Sequence, residues 1–289
     1  MKPVDFEFLS QLLNKRSGLV LTEDKAYLLE SRLMPVARKR GMKGLEDLIS
    51  IIRTTMEEEL LREVTEAMTT NESFFFRDIK PFDTFRDVIL PDLLENRAVM
   101  KSFRIWCAAA SSGQEPYSLA MVMKEQAAKL TGWSHEIVAT DISTKMLAKA
   151  TKGICSQFEA QRGLPIQMPL KYFKRADDVW EIDPSLRDMV TFKEFNLLND
   201  PKALGRFDVV FCRNVLIYFD QPTKTRILDW IGRMLPADGR LFLGGAETVL
   251  GITDKFKPVP GQRGVYCLAE AVPAAAAPAA ATKVGASAG

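Results

Sequence analysis

The sequence predicts an α/β domain with a small all-helical domain in front of it. Apolar residues recur at helical spacing through the first 70 or so residues, and from about residue 101 short apolar strands alternate with helices. This alternation is typical of βαβ units, which build a mostly parallel sheet with right-handed crossovers. A chain of 289 residues is long enough for a small domain joined to a larger one.

The predicted helical domain covers residues 1–75 and contains four helical segments. The first ends at Gly18, and the second begins after Thr22 as N-cap and ends at Gly41. Pro35 lies inside the second segment and is expected to kink or break it. The segments GLEDLISIIRT and EEELLREVTEAMT follow, and residues 76–100 are expected to form a linker or helix.

The α/β domain is predicted over residues 101–270. Its strands are SFRIWCAAA, EIVATDIS, FDVVFCRN and RLFLGGAE, and a last strand, GVYCLAE, is expected to pair antiparallel because no clear crossover helix precedes it. Residues from about 155 to 192 fit neither period and are predicted to form an irregular small β subdomain. Residues 271–289 are rich in alanine, lack large apolar side chains, and are predicted to be disordered.

Composition excludes several classes of protein. The 39 Lys and Arg against 37 Asp and Glu give a net charge of +2, which offers no bulk attraction to nucleic acid or anionic lipid. The four cysteines show no C-x-x-C spacing, so free thiols in a reducing compartment are favoured over bridges or a metal site. The sequence has neither a signal-peptide pattern nor an apolar run of about 18 residues. We expect a cytoplasmic protein that holds no metal and does not insert into membranes.

Ligands of open α/β sheets bind at the carboxyl ends of the strands, so the loops that follow the strands are the candidate site. The loop after the first strand, AAASSGQEP, has small residues that allow close backbone approach, and Pro116 suits the first turn of a helix. It is not the G-x-G-x-x-G dinucleotide motif, and a tight turn without a ligand remains an open alternative.

Asp141 ends the second strand, where an acidic side chain can accept both hydroxyls of a ribose. The alternative is that Asp141 caps the next helix, although Ser143 is the better placed N-cap.

Five segments together resemble the chemotaxis receptor methyltransferases, CheR, over about residues 4–269: TTNESFFFRD, AAASSGQEPYSLAM, ATDIS, NLLND and FDVVFCRNVLIYFD. The resemblance implies a Rossmann-like class I S-adenosylmethionine-dependent methyltransferase fold behind the helical domain. It implies S-adenosyl-L-methionine as cofactor and S-adenosyl-L-homocysteine as product. The implied activity is that of a protein-glutamate O-methyltransferase, which esterifies receptor glutamates during chemotactic adaptation.

The resemblance also implies roles for individual residues. Catalytic roles fall on Arg77, Arg213 and Tyr218. For Tyr218 the alternative is a packing role within VLIYF. For Asn71 the alternative is that it caps a helix whose residues Phe74 to Phe76 belong to the core. The positions implied to bind the cofactor are Asn71, Ser73, Arg77, Glu115, Asp141, Asn196, Leu197, Arg213 and Asn214.

The implied chemistry agrees with the residues available. Methyl transfer from a sulfonium depends largely on positioning, and a glutamate with a pKa of about 4.3 is already ionised at neutral pH, so it needs no base. The one histidine, His135, is expected at the end of the sheet away from the ligand loops. Arg77 or Arg213 is expected to orient a carboxylate, and Tyr218 to present its ring or its hydroxyl to the sulfonium cation.

The expected partner is a methyl-accepting chemotaxis receptor, and the enzyme itself is expected to be a monomer. The acidic helical bundle of the receptor would dock on a basic cluster of the helical domain, for which a solvated face is the alternative. Some members of the family that this chain resembles bind a pentapeptide at the receptor's C-terminus with a glycine-containing hairpin loop before the NLL segment. Here no glycine lies between Gly163 and Gly205, so we expect a member that does not depend on that pentapeptide. The basic cluster consists of Arg32, Arg38, Lys39, Arg40, Lys43 and Arg53.

Two other functions stay open. One is a catalytically silent regulator that binds the cofactor and signals through its helical domain. The other is a methyltransferase for nucleic acids or small molecules. The strand FDVVFC is followed by Arg213, Asn214, Val215 and Leu216, not by the N-P-P-Y-like motif of base-methylating enzymes, so a nucleic-acid partner is not expected.

Overall fold

A computed structural model describes residues 1–164 and 167–269, and the predicted disordered tail, residues 271–289, lies outside them. The N-terminal part is a four-helix domain with its own apolar core, built from leucines such as Leu9, Leu29 and Leu48. Its helices are α1 (Pro3–Ser17), α2 (Ala26–Lys39), α3 (Leu45–Thr55) and α4 (Glu58–Met68).

Of the two outcomes expected at Pro35, a kink or a break of the second helix, the structure excludes the break. Helix α2 continues through Pro35 to Lys39. A proline inside a helix costs about 3 kcal/mol. The apolar face of α2 offsets this cost because Leu29, Leu33 and Ala37 are fully buried.

A helical segment joins the two domains. It begins at Lys80, contains a π-helical turn over Phe85–Ile89, and ends at Asn96. Phe82 and Phe85 are buried in the core beneath the sheet, which ties this segment to the larger domain. Its two α-helical parts are α5 (Lys80–Thr84) and α6 (Leu90–Asn96).

The larger domain contains a seven-stranded sheet in the order β6-β2-β1-β7-β8-β10-β9. The first five strands of this order run parallel, and β10 is antiparallel to β8, which confirms the predicted antiparallel last strand. The short edge strand β9 was not predicted. The strands are β1 (Ser102–Ala108), β2 (Ser134–Asp141), β6 (Val190–Glu194), β7 (Val209–Cys212), β8 (Arg240–Leu243), β9 (Phe256–Pro258) and β10 (Val265–Leu268).

Helices cover both faces of this sheet, and Trp106 and Phe211 belong to two separate core clusters. Among the described residues, no helix is long and apolar enough to span a bilayer. The main covering helices are α7 (Gln114–Glu125), α8 (Thr144–Lys152) and α12 (Gln221–Met234).

The irregular region predicted at about residues 155–192 is a small antiparallel sheet of three strands, in the order β3-β5-β4. Val190 and its successors belong instead to β6 in the main sheet, where they pair with β2. The elements of this small subdomain are β3 (Ile154–Ser156), α9 (Gln157–Gln161), α10 (Met168–Tyr172), β4 (Phe173–Ala176), β5 (Val179–Ile182) and α11 (Pro184–Arg187).

Candidate functional site

A single cleft lies at the carboxyl ends of β1, β2 and β7. All of the residues to which the resemblance gives catalytic or cofactor-binding roles line it, although their chain positions span residues 71 to 218. The helical domain contributes a further wall through Ser17, Leu19 and Met68. The predicted residues in the lining are Asn71, Ser73, Arg77, Glu115, Asp141, Asn196, Leu197, Arg213, Asn214 and Tyr218.

The loop between β1 and α7 forms the floor of the cleft. Three of its residues have left-handed backbone: Ala109 (φ 60°), Ser111 (φ 50°) and Gly113 (φ 95°). A Cβ atom at Gly113 would lie 3.0 Å from the ring of Tyr117 and 3.1 Å from the Cβ atom of Ala150. Left-handed backbone in residues other than glycine costs free energy and persists only where surrounding contacts hold it. The conformation of this loop must therefore be held by contacts with other parts of the structure.

Asp141 supplies those contacts. Its carboxylate accepts hydrogen bonds from the backbone N–H groups of Ser111 and Ser143, each at 2.8 Å. Burial raises the pKa of Asp141, and the backbone N–H donors oppose that rise. Each carboxylate oxygen can accept more than one hydrogen bond, so a ribose hydroxyl can be added.

Ser143, not Asp141, is the N-cap of α8. Its hydroxyl accepts a hydrogen bond from the backbone N–H of Met146 at 3.2 Å. The alternative in which Asp141 caps this helix is therefore wrong, because the side chain of Asp141 turns back to the β1 loop through Ser111.

Arg213 lies at the centre of a buried ion-pair network. Its side chain is 1% exposed, and its terminal nitrogens lie 2.8 Å from Glu115 and 2.7 Å from Asp78. The second nitrogen also donates to the carbonyl of Arg77 at 2.9 Å. Burial raises the pKa of Glu115, although the Arg213 guanidinium acts in the opposite direction. Because both terminal nitrogens of Arg213 already hold protein oxygens, Arg77 is the better placed arginine for a ligand carboxylate.

The segment before α5 shapes the other side of the cleft. Phe76, Asp78 and Ile79 have positive φ values of 50°, 69° and 49°. Arg77 sits between them, donates to the carbonyl of Glu72 at 2.9 Å, and has its guanidinium 5.5 Å from the ring centre of Phe74. This tight turn places the Arg77 side chain in the cleft.

Asn71 is not a helix cap, because residues 70–74 contain no helix. Its side chain donates to the Thr69 hydroxyl at 3.0 Å, and its carbonyl accepts from the Ser111 hydroxyl at 3.0 Å. The alternative of a capped helix is therefore wrong. Phe75 and Phe76 are buried as that alternative expected, but Phe74 is only half-buried and lines the cleft.

Contacts between the two domains close the cleft on one side. The Asn196 side chain donates to the carbonyl of Arg16 at 2.6 Å, and the N–H of Val20 donates to the carbonyl of Tyr218 at 3.0 Å. Gly18 has a φ of 74°, and a Cβ atom there would lie 2.7 Å from the ring of Phe219. The helical domain is thus part of the site. No sequence motif marked Ser17 or Leu19 as lining residues.

Comparison with known proteins identifies the family. The model described as "CheR methyltransferase, all-alpha domain" matches residues 4–69, and "CheR methyltransferase, SAM binding domain" matches residues 71–265. This chain belongs to the CheR methyltransferase family. It is a methyltransferase of chemotaxis that uses S-adenosylmethionine, as the sequence resemblance implied.

Curated relatives match nearly the whole chain. Chemotaxis protein methyltransferase Cher2 of Pseudomonas putida is 38% identical over 266 residues, covering 91% of this chain and 96% of its own. Chemotaxis protein methyltransferase 1 of Pseudomonas aeruginosa is 40% identical over 266 residues, covering 90% and 96%. Chemotaxis protein methyltransferase 1 of Vibrio cholerae is 38% identical over 264 residues, covering 90% and 95%.

The cleft of this CheR-family chain fits its cofactor chemically. Asp141 would hold the ribose hydroxyls through its carboxylate oxygens, and Leu19, Phe195 and Leu197 would give a flat base an apolar surface. The charge of Glu115 is balanced by its ion pair with Arg213, which lines the same cleft. In the described part of the chain, no group of three or more His, Cys, Asp or Glu side chains is placed to hold a metal ion.

Proposed function

We propose that this CheR-family enzyme transfers the methyl group to glutamate side chains of chemoreceptors, giving methyl esters that adjust chemotactic adaptation. The observation that carries this proposal is Arg77, a guanidinium in the cleft at the strand ends. Guanidinium groups bind carboxylates through paired, charge-assisted hydrogen bonds. A glutamate held there is already ionised at neutral pH and attacks without a general base.

Four residues of the cleft have separate tasks in this proposal. S-Adenosylmethionine, when bound, supplies an electrophilic methyl group on a sulfonium. Asp141 accepts the ribose hydroxyls and Leu197 contacts the adenine. Arg77 orients the carboxylate of the acceptor, and Tyr218 faces the positive charge. The helical domain shields the cleft from water on the side of Leu19. Positioning of this kind accounts for much of the rate of an in-line displacement.

The proposal is tested with chemoreceptor-containing membranes and S-adenosylmethionine that carries a radiolabelled methyl group. We expect label on the receptor that alkali releases as volatile methanol, because methyl esters hydrolyse in base. Cofactor binding without such transfer would favour the silent regulator instead, and alkali-stable label would mean an acceptor other than a carboxylate.

Tyr218→Phe is expected to lower kcat about tenfold and to change cofactor affinity by less than about threefold, since one polar contact at the reacting end is worth about 1.4 kcal/mol or less. Steady-state kinetics and calorimetry with S-adenosylhomocysteine measure the two quantities. The exposed Tyr27, changed to Phe, is the matched control. Unchanged kcat in Tyr218→Phe would remove the Tyr218 hydroxyl from the mechanism.

We propose that the receptor docks on the basic cluster of the helical domain. Several basic side chains of this cluster are already paired within the domain, which leaves fewer of them for the receptor. Arg40 is paired with Glu57 and Glu63 inside the domain, and Lys39 also contacts Glu63 at 2.9 Å. The other pairings are those of Arg53 with Asp5 and of Arg32 with the carbonyls of Met68 and Thr69. Arg38, at the end of α2, is therefore the cleaner residue to test.

Arg38→Glu is expected to raise KM for the receptor several-fold, by about 1 kcal/mol for one reversed charge pair at a docking surface, and to leave cofactor affinity unchanged. The effect should shrink at high salt. Arg233→Glu, an equal charge change at an exposed position on α12, is the control. Equal receptor KM values for both variants would contradict docking on α2.

We propose that this enzyme acts without the receptor's C-terminal pentapeptide. In the small subdomain, β4 and β5 are joined by only two residues, Asp177 and Asp178. A short acidic turn offers little surface to a peptide that carries its own terminal carboxylate. Calorimetry with the free receptor-tail peptide should show no binding heat, and a measurable binding isotherm would overturn this part of the proposal.

We also propose a cytoplasmic location, where the receptor's methylated region and the cofactor would both be met. All four cysteines are free thiols, which suits a reducing compartment.

A further inference from the structure

Glu247 is a buried carboxylate that the mechanism above does not use. It lies in the turn after β8 and is 9% exposed. Its carboxylate accepts hydrogen bonds from the backbone N–H groups of Asn214 (2.7 Å), Val215 (2.9 Å) and Leu216 (2.7 Å). It also accepts from the N–H of Gly244 at 2.7 Å. The N–H of Ile217 donates to it at 3.3 Å, so five backbone donors from two separate turns converge on one side chain.

Four of those donors belong to the turn that follows β7. This turn carries two cleft residues, Asn214 and Tyr218. Asn214 has left-handed backbone with a φ of 58°, and a short 3₁₀ turn spans Leu216–Tyr218. The first N–H groups of such a turn have no partner within it, and buried unpaired donors are costly. Glu247 satisfies them and so stabilises a strained turn at the cleft.

The neighbouring glycine leaves room for this arrangement. A Cβ atom at Gly244 would lie 2.8 Å from a carboxylate oxygen of Glu247 and 2.6 Å from the side-chain nitrogen of Asn214. The turns after β7 and β8 thus approach each other closely, with the Glu247 carboxylate between them.

We propose that Glu247 is a positioning residue for methyl transfer. It holds the turn after β7 in the conformation that presents Tyr218 to the cleft and does not touch the reacting groups itself. The inference rests on the proposed role of Tyr218. It predicts that loss of the Glu247 charge lowers turnover while the cofactor, held at the ends of β1 and β2, still binds.

Glu247→Gln is the test, because the amide keeps the size of the side chain but turns a donor toward backbone N–H groups. We expect kcat to fall by up to about tenfold, the loss expected for Tyr218→Phe, because Glu247 acts through that side chain. The Kd for S-adenosylhomocysteine should change by less than about threefold. Hydrogen exchange of residues 213–218 should become faster. Asp254→Asn, an exposed carboxylate a few residues away, is the control.

A double variant separates positioning from general destabilisation. If Glu247 acts through Tyr218, the double variant Glu247→Gln with Tyr218→Phe should lose much less kcat than the two single losses multiplied together. Fully multiplicative effects, or a kcat of Glu247→Gln within about twofold of the parent, would overturn the inference. If Glu247→Gln does not fold, Gly244→Ala displaces the same carboxylate and is measured in the same way.

Failure of the proposed function can be told apart from failure of the Glu247 inference. If the proposed function is wrong, the unmodified enzyme transfers no methyl group to the receptor. Hydrogen exchange and cofactor binding still decide the inference in that case. Faster exchange of the turn with retained binding supports it, and unchanged exchange overturns it.

Discussion

Asp141→Asn is expected to weaken S-adenosylmethionine binding by about 10- to 100-fold. Hydrogen bonds to a charged group contribute about 1.5–3 kcal/mol, and each 1.4 kcal/mol is a factor of ten. The substitution removes the charge that would accept ribose hydroxyls. It also turns an NH₂ group toward Ser111 or Ser143, whose N–H groups now bond to the carboxylate. Calorimetry with S-adenosylmethionine measures the change.

Acidification should act in the same direction as this substitution. Burial raises the pKa of Asp141, so the carboxylate takes up a proton at a higher pH than a free aspartate does. The protonated group accepts hydrogen bonds less well, and cofactor affinity should fall as the pH drops through that raised pKa. In Asp141→Asn this pH dependence should be weaker.

Ser143→Ala is the matched control for Asp141→Asn. It removes the N-cap of α8, which costs about 1 kcal/mol of stability, but it leaves the carboxylate of Asp141 in place. We expect a lower melting temperature and a cofactor Kd within about threefold of the parent. Equal Kd values for Asp141→Asn and the parent would contradict the assignment of the cleft.

Arg213→Met is expected to destabilise the fold by about 3–5 kcal/mol and to abolish turnover. The change leaves the buried Glu115 carboxylate without its partner, while the half-exposed Asp78 loses little. Methionine keeps much of the length of the arginine stem, so the lost charge dominates the effect. Denaturant unfolding of the two proteins measures the difference.

The double variant Arg213→Met with Glu115→Gln should recover part of this loss. Removing both members of a buried ion pair costs less than removing one. A double variant that is no more stable than Arg213→Met would mean that the pairing with Glu115 is not the cause.

The sequence predicts which residues meet at the strand ends better than it predicts the backbone conformations around them. Asp141 and Arg213 each follow an apolar strand, and parallel strands bring their carboxyl ends to one edge of the sheet, so their convergence follows from topology. The left-handed backbone at Ser111 has no such signal, because serine rarely adopts it. Long-range hydrogen bonds hold it, and those depend on the finished fold.

Other features were missed for the same reason. Strand β9 is three residues long and exists through its pairing with β10. Pro35 reads locally as a helix breaker, yet burial of its neighbours keeps α2 intact. Glu247 has only backbone partners, which no side-chain motif marks. The contribution of Leu19 depends on how the helical domain sits on the sheet, and helical periodicity does not specify that orientation.

The account is tested most directly by tandem mass spectrometry of a chemoreceptor incubated with this enzyme and S-adenosylmethionine. The predicted result is methyl groups on glutamate side chains, removed by mild alkali and reduced when the reaction contains Asp141→Asn or Tyr218→Phe in place of the parent. Methyl groups on lysine, arginine or cysteine, or a receptor without any methyl group despite bound cofactor, would contradict it.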